Sequence, residues 1–158
     1  MTADPALADL EVKSISYSDH IHDIFWIRQQ VFHIEQNIDP ALDMDGEDEQ
    51  AEHFIAYWQQ QAVGIARLRA YGDSTQAKIE RVAVLQAFRQ RGIGKAITQA
   101  ALTYAQQQEF TSVVLYAQAQ SASFYEQFGF QRQGHPFSQA GIPHIAMVKT
   151  LSTTPRKL

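Results

Sequence analysis

Apolar and polar positions change period several times along the chain, and those changes mark its elements. Val12 to Tyr17 alternates as a first strand, and Ser18 or Asp19 then stands as the N-cap of a helix running to about Gln36. Within that helix Ile24, Ile27, Val31 and Ile34 share one face, with Arg28 at its edge. An acidic loop follows from Asn37 to about Gln50. A hairpin of Phe54 to Gln59 and Val63 to Tyr71 turns at Gln60-Gln61-Ala62, and Gly72-Asp73-Ser74 leads into a strand of Lys78 to Val84. Ile93 to Gln108 takes the helical period, Ser112 to Ala117 is an apolar strand, and Ala119 to Gln127 is a short helical stretch. Gln131 to Gly134 and His144 to Thr150 read as two last strands joined by a Pro136 to Pro143 loop. The expected organisation is one domain over residues 1–151, with a flexible tail over 152–158.

The most informative stretch is Ile79 to Lys95, a strand followed by a basic, glycine-containing loop and a helix start. Gly92 and Gly94 let backbone N–H groups approach a ligand with no Cβ in the way. The first N–H groups of the following helix lack intrahelical partners and carry partial positive charge, and Arg89, Arg91 and Lys95 add full charges beside them. The combination is an anion cradle suited to a pyrophosphate.

Two phosphate motifs fail on these residues. A P-loop requires a hydroxyl after Gly94-Lys95, where Ala96 stands, and a glycine at position 89, which is arginine. A dinucleotide fingerprint requires a third glycine where the chain has Ile97. The pattern Arg/Gln-x-x-Gly-x-Gly/Ala is met by Arg89, Gly92 and Gly94. It resembles motif A of the GNAT superfamily of acyl-CoA-dependent N-acyltransferases. Farther on, Phe124-Tyr125-Glu126-Gln127-Phe128-Gly129-Phe130 is similar to motif B of the same superfamily, with Gly129 placed as a left-handed helix cap. Val31-Phe32-x-x-Glu35-Gln36 is similar to a segment of a small bacterial subgroup.

The resemblance, which covers roughly residues 50–150, implies an α/β GNAT fold. Its sheet is mixed and mostly antiparallel, flanked by helices and splayed to admit coenzyme A. It also implies acetyl-CoA as cosubstrate, held by Arg89, Gln90, Arg91, Gly92, Ile93, Gly94 and Lys95, by the backbone of Val82, Ala83 and Val84, and by Phe124 and Tyr125. The implied reaction is acetyl transfer to the primary amine of a small molecule or peptide, by direct attack in a ternary complex. Tyr125 is implied as the acid that protonates the leaving thiolate, and a backbone N–H near Val84 as the oxyanion donor. An exposed terminal strand in this fold is compatible with a homodimer.

The base is open at this stage. Glu80 stands two residues before Val82 and so would share its strand face. Glu35, His53 and His144 are further candidates on the acceptor side, and ordered water is another route. Read without the resemblance, Tyr125 is an ordinary core aromatic and each histidine a structural hydrogen-bond partner.

Composition narrows these readings. In 158 residues there is no cysteine, which excludes disulfides, thiolate metal sites and an acyl-cysteine intermediate. A net charge of −4 argues against nucleic-acid binding, and the absence of a long apolar run argues against a membrane partner. Met1 to Pro5 lacks the pattern of a signal peptide, so a cytoplasmic location is expected. No metal is expected. Taking Gly46 as the sixth position of a calcium loop puts Asp43, Asp45 and Glu52 at ligand positions but leaves Ala41 first. The acidic run from Asp39 to Glu52 therefore reads as a solvated loop, or as a surface that steers a cationic amine. The rival functions are a non-catalytic acyl-CoA-binding module and a nucleotide-binding oxidoreductase.

Overall fold

The computed structural model describes residues 8–152, so nearly all of the expected tail lies outside the described residues. Seven strands, β1 (Leu10–Ile15), β2 (Glu52–Trp58), β3 (Gln61–Tyr71), β4 (Gln76–Val84), β5 (Ser112–Gln118), β6 (Gln131–Gln139) and β7 (Ile142–Thr150), form one sheet in the order β1-β2-β3-β4-β5-β7-β6. β4 and β5 run parallel, while β1–β2, β2–β3, β5–β7 and β6–β7 are antiparallel. The helices are α1 (Tyr17–Arg28), α2 (Pro40–Asp43), α3 (Ile93–Gln107) and α4 (Ala122–Glu126). The sheet is thus mixed, mostly antiparallel and flanked by helices, as expected.

Contacts gather the chain into two compact units, Met1–Leu68 with Arg81–Ala101 and Arg69–Glu80 with Leu102–Leu158, and β3, β4 and α3 run through both. In the first unit, Ile24 and Ile27 of α1 pack with Val31, Phe32, Ile55, Ile65 and Ala83. Strand alternation turns Gly64 to the other face, where a Cβ would lie 2.6 Å from Ile97 Cδ1. A side chain at this position would press on Ile97, Ile93 and the Ala83 carbonyl, so glycine eases the packing of α3 on β3. In the second unit, Ile79, Leu115 and Met147 are register partners across β4, β5 and β7, and all three are buried.

Several boundaries differ from the sequence reading. The first helix begins at Tyr17 after an extended Ser16 that makes no side-chain cap bond, and at Gln29 it widens into a π-helix over Gln29–Glu35. The β2–β3 turn is the pair Gln59-Gln60, with φ of 47° and 69°, one residue earlier than expected. Two left-handed residues match the right-handed twist of a tight hairpin. The expected Pro136 to Pro143 loop is instead strand, since β6 and β7 form a hairpin that turns at Ala140-Gly141. Pro136 is tolerated because the pairing register shifts between Gln133 and Phe137, where a missing N–H breaks no ladder bond. Gly129 takes φ +93° after α4, as a left-handed cap should.

Candidate active site

The loop after β4 has the conformation an anion cradle needs. A 3-10 turn over Gln86–Phe88 leads into Arg89-Gln90-Arg91-Gly92, and Gln90 and Gly92 both take left-handed φ, 63° and 83°. α3 starts directly afterwards at Ile93, and its first-turn N–H groups have no acceptor within the helix. Lys95 is exposed. Arg91 lies with Cζ 5.6 Å from the ring centres of both Trp58 and Phe88, a cation–π stack that keeps its charge at the loop. Arg89 is already engaged. Its Nη1 donates to Glu35 Oε2 at 2.7 Å, Nη2 to Glu35 Oε1, and Nε to the Val84 carbonyl at 3.0 Å.

Upstream in β4, Arg81 has φ +57°, a left-handed residue inside a strand that nothing in its sequence flags. It breaks the two-residue period, so a shared face for Glu80 and Val82 no longer follows from alternation. Arg81 Nε donates to Asp43 Oδ1 at 2.8 Å, and Nη2 reaches the Asp43 carbonyl and Asp45 Oδ2 at 3.2 Å each.

Those aspartates come from the acidic run, most of which is exposed, as expected of a solvated loop, while Asp43 and Asp48 are buried. Asp39 caps α2 by accepting from the Ala41 N–H at 2.9 Å, and Asp43, Asp45 and Asp48 meet arginines. Arg28 makes a bidentate pair with Asp48 at 2.7 and 2.9 Å, both side chains being buried. Arg67, fully buried, donates to Asp45 at 2.9 and 2.7 Å and to Asp48 at 3.0 Å. Hydrogen bonds from Arg67 hold the Asp45 carboxyl well below the ordinary range. Burial works to raise the Asp48 carboxyl, but Arg28 and Arg67 together more than offset it. The arginines and their aspartate partners balance in charge, so these carboxylates do not project a field that would steer a cation.

His53 belongs to this network. Its Nε2 donates to the Asp48 carbonyl at 2.8 Å, its ring stacks on Tyr17 at 5.2 Å, and burial lowers its affinity for a proton. His33 lies 3.0 Å from Asp43 Oδ2. Sequence reasoning missed Arg28, Arg67 and Arg81 as functional neighbours. The available signal was Arg67 itself, a charged residue amid apolar positions in β3.

In the second unit, Glu80 receives Arg69 through Nε at 3.0 Å and Nη2 at 2.9 Å, and Lys78 Nζ lies 3.3 Å away. Lys78 Nζ sits 3.9 Å from the Tyr116 ring centre and 5.1 Å from that of Tyr71, whose hydroxyls are 3.1 Å apart. Phe137 packs edge-on to Tyr116 at 5.3 Å and stacks with His144 at 5.9 Å. His144 Nδ1 donates to the Ile142 carbonyl at 2.7 Å, which leaves the lone pair of the neutral ring at Nε2. Tyr125 of α4 is buried, with Phe124 and Phe130 at 5.0 and 6.0 Å, and burial raises its hydroxyl far above neutrality. The expected candidates therefore divide. Glu35 and His53 lie with the cradle in the first unit, and Glu80, His144 and Tyr125 in the second.

Among the described residues, no group of three or more His, Cys, Asp or Glu is placed to hold a metal ion, and no helix is long and apolar enough to cross a membrane. A family model for the acetyltransferase (GNAT) domain matches residues 15–151. The uncharacterized protein YyaT of Bacillus subtilis is 34% identical over 146 residues, covering 90% of this chain and 97% of that protein. The crystal structure of an acyl-CoA N-acyltransferase from Pseudomonas aeruginosa superposes with a TM-score of 0.80 at 28% identity, covering 89% of this chain and 99% of that one. A GNAT family acetyltransferase from Elizabethkingia anophelis, solved with acetyl-CoA bound, has a TM-score of 0.68 at 17% identity, covering 90% and 99%, and shares the fold.

Proposed function

The chain belongs to the GNAT acetyltransferase family, and from that premise we propose that it transfers an acetyl group from acetyl-CoA to a primary amine by direct attack in a ternary complex. The observation that carries the reading is the loop over Gln90 and Gly92, whose left-handed backbone leads straight into the unpartnered N–H groups of α3 beside Arg91 and Lys95. That arrangement suits a pyrophosphate. The structure solved with acetyl-CoA in a protein of the same fold supports the choice of donor.

In this reading the backbone of Val82, Ala83 and Val84 pairs with the pantetheine chain. The amine nitrogen attacks the thioester carbonyl, the C–S bond breaks, and the thiolate takes the proton of Tyr125. The Tyr125 hydroxyl carries its proton at neutral pH as any tyrosine does, and burial, which raises it further, makes it a weaker donor that depends on close placement at the thiolate. The amine's proton leaves through Glu80, through Nε2 of His144, or through water. Glu80 is the less apt base of the two side chains, since Arg69 and Lys78 already face its lone pairs. Direct transfer is supported by the absence of cysteine. For the acceptor, the internally paired Asp43, Asp45 and Asp48 give no reason to favour a polycation over other amines.

An acetyl-CoA consumption assay across polyamines, aminoglycosides, amino acids and peptide N-termini tests the reading, with product mass as the readout. Turnover with an amine is expected. Coenzyme binding without turnover on any amine would favour a non-catalytic module, and a thermal shift with NAD but none with coenzyme A would overturn the reading.

A further inference from the structure

We propose that Glu35 is a positioning residue for the coenzyme loop, acting through Arg89; this rests on the reading that the loop after β4 holds acetyl-CoA. From sequence, Arg89 looked like a phosphate ligand and Glu35 like an acceptor contact. In the structure each occupies the other. The two guanidinium nitrogens Nη1 and Nη2 face the two oxygens of Glu35, and Nε is taken by the Val84 carbonyl. The carboxylate lies below its ordinary range because Arg89 hydrogen-bonds to it. Three of the five Arg89 N–H groups are spent on Glu35 and the Val84 carbonyl and the cation is neutralised where it stands, so Arg89 is a poor grip for a pyrophosphate. The phosphate-holding role passes to the backbone N–H groups, Arg91 and Lys95.

Arg89 serves instead as a bracket. It joins the end of the π-helix at Glu35, the end of β4 at Val84, and the first residue of the loop. The next residue, Gln90, sits at φ +63°, a conformation that costs a non-glycine residue free energy and persists only when its surroundings fix it. The bracket is the adjacent constraint. When it loosens, Gln90 relaxes and the N–H groups over Gln90 to Gly92 lose their common aim. The widened π turn is the element that presents Glu35, so the acceptor-side helix and the donor loop are coupled through this ion pair.

The pair is partly exposed, 38% at Arg89 and 30% at Glu35, so its own contribution to global stability is small. That separates positioning from mere structural support. The test is calorimetric titration of acetyl-CoA into wild type, Glu35→Gln, Arg89→Lys and the Glu35→Gln/Arg89→Lys double variant, with kcat and KM measured alongside. We expect each single variant to weaken acetyl-CoA binding by roughly tenfold, with the thermal midpoint shifted by no more than ~3 °C. KM for acetyl-CoA should rise while kcat at saturation stays within about twofold. The double variant should bind no worse than either single, because one bracket has been removed in all three. The slope of log Kd against log salt should be that of wild type, since no phosphate contact is lost, whereas Lys95→Gln should flatten it. Unchanged or tighter acetyl-CoA binding by Glu35→Gln would overturn the inference. Failure of the wild type to bind acetyl-CoA would overturn the function proposed above instead.

Discussion

At Tyr125 burial does two things at once. It packs the ring between Phe124 and Phe130, and it raises the hydroxyl above its ordinary range, so the proton present at neutral pH is released less readily than from a free tyrosine. Tyr125→Phe keeps the packing and removes the proton. We expect kcat to fall by about 10²-fold with acetyl-CoA affinity nearly unchanged. An unchanged kcat where chemistry limits turnover would take the acid role away from Tyr125. Gly92 makes a complementary case. At φ +83° it sits where a β-branched residue is strained, and a side chain there would stand in front of the N–H groups. Gly92→Val should abolish acetyl-CoA binding in a titration and leave the far-ultraviolet circular dichroism spectrum intact. Both residues were legible in the sequence because each belongs to a short motif. Arg81 was not: a left-handed arginine in a strand leaves no compositional mark, and Lys78 to Val84 alternates as an ordinary strand would.

Among the elements, the acidic segment behaves least as a run of carboxylates ordinarily does. Its three paired aspartates, Asp43, Asp45 and Asp48, are the counter-charges of Arg28, Arg67 and Arg81, residues set on α1, β3 and β4. Arg28 and Arg67 are almost wholly buried, so removing a partner strands charge in the interior. Asp48→Asn should destabilise the protein by about 3–5 kcal/mol in urea titration. Glu49→Gln, at an exposed position of the same segment, should change it by less than about 0.5 kcal/mol. Equal effects from the two would mean that the network does not hold the segment. The pairing was invisible from sequence because its partners are remote, and a local charge run gives no sign of where its counter-ions stand. The strands were legible, within a few residues, from alternation. The π-helix was not, since over seven residues its period differs little from that of an α-helix. The β6–β7 hairpin was shortened because Gly134, Pro136 and Gly141 read as breakers, while the register shift accommodates the proline.

For the molecule as a whole, the buried network makes stability depend on pH with a definite sign. Burial lowers the proton affinity of His53, whose ordinary pKa is 6.5, because a charged ring inside would lack solvation. The unfolded chain therefore takes up a proton near pH 6.5 that the folded chain refuses until lower pH. Where the unfolded state binds more protons, stability falls as pH falls, by up to about 1.4 kcal/mol per pH unit for one proton. Glu35, Asp45 and Asp48 are also held below their ordinary range, and their contribution is present above the unfolded carboxylate pKa and lost as pH drops through the folded values. The unfolding free energy, measured by urea titration from pH 8 to 4, should hold level at first. It should decline in a first limb below about pH 6.5, and more steeply near pH 4 as the carboxylates join. His53→Gln, which keeps a donor for the Asp48 carbonyl but cannot titrate, should erase the first limb and spare the second. A stability that rises between pH 7 and 5.5 would mean that His53 is charged in the folded protein and paired with Asp48. The neutral ring argued for here would then be wrong.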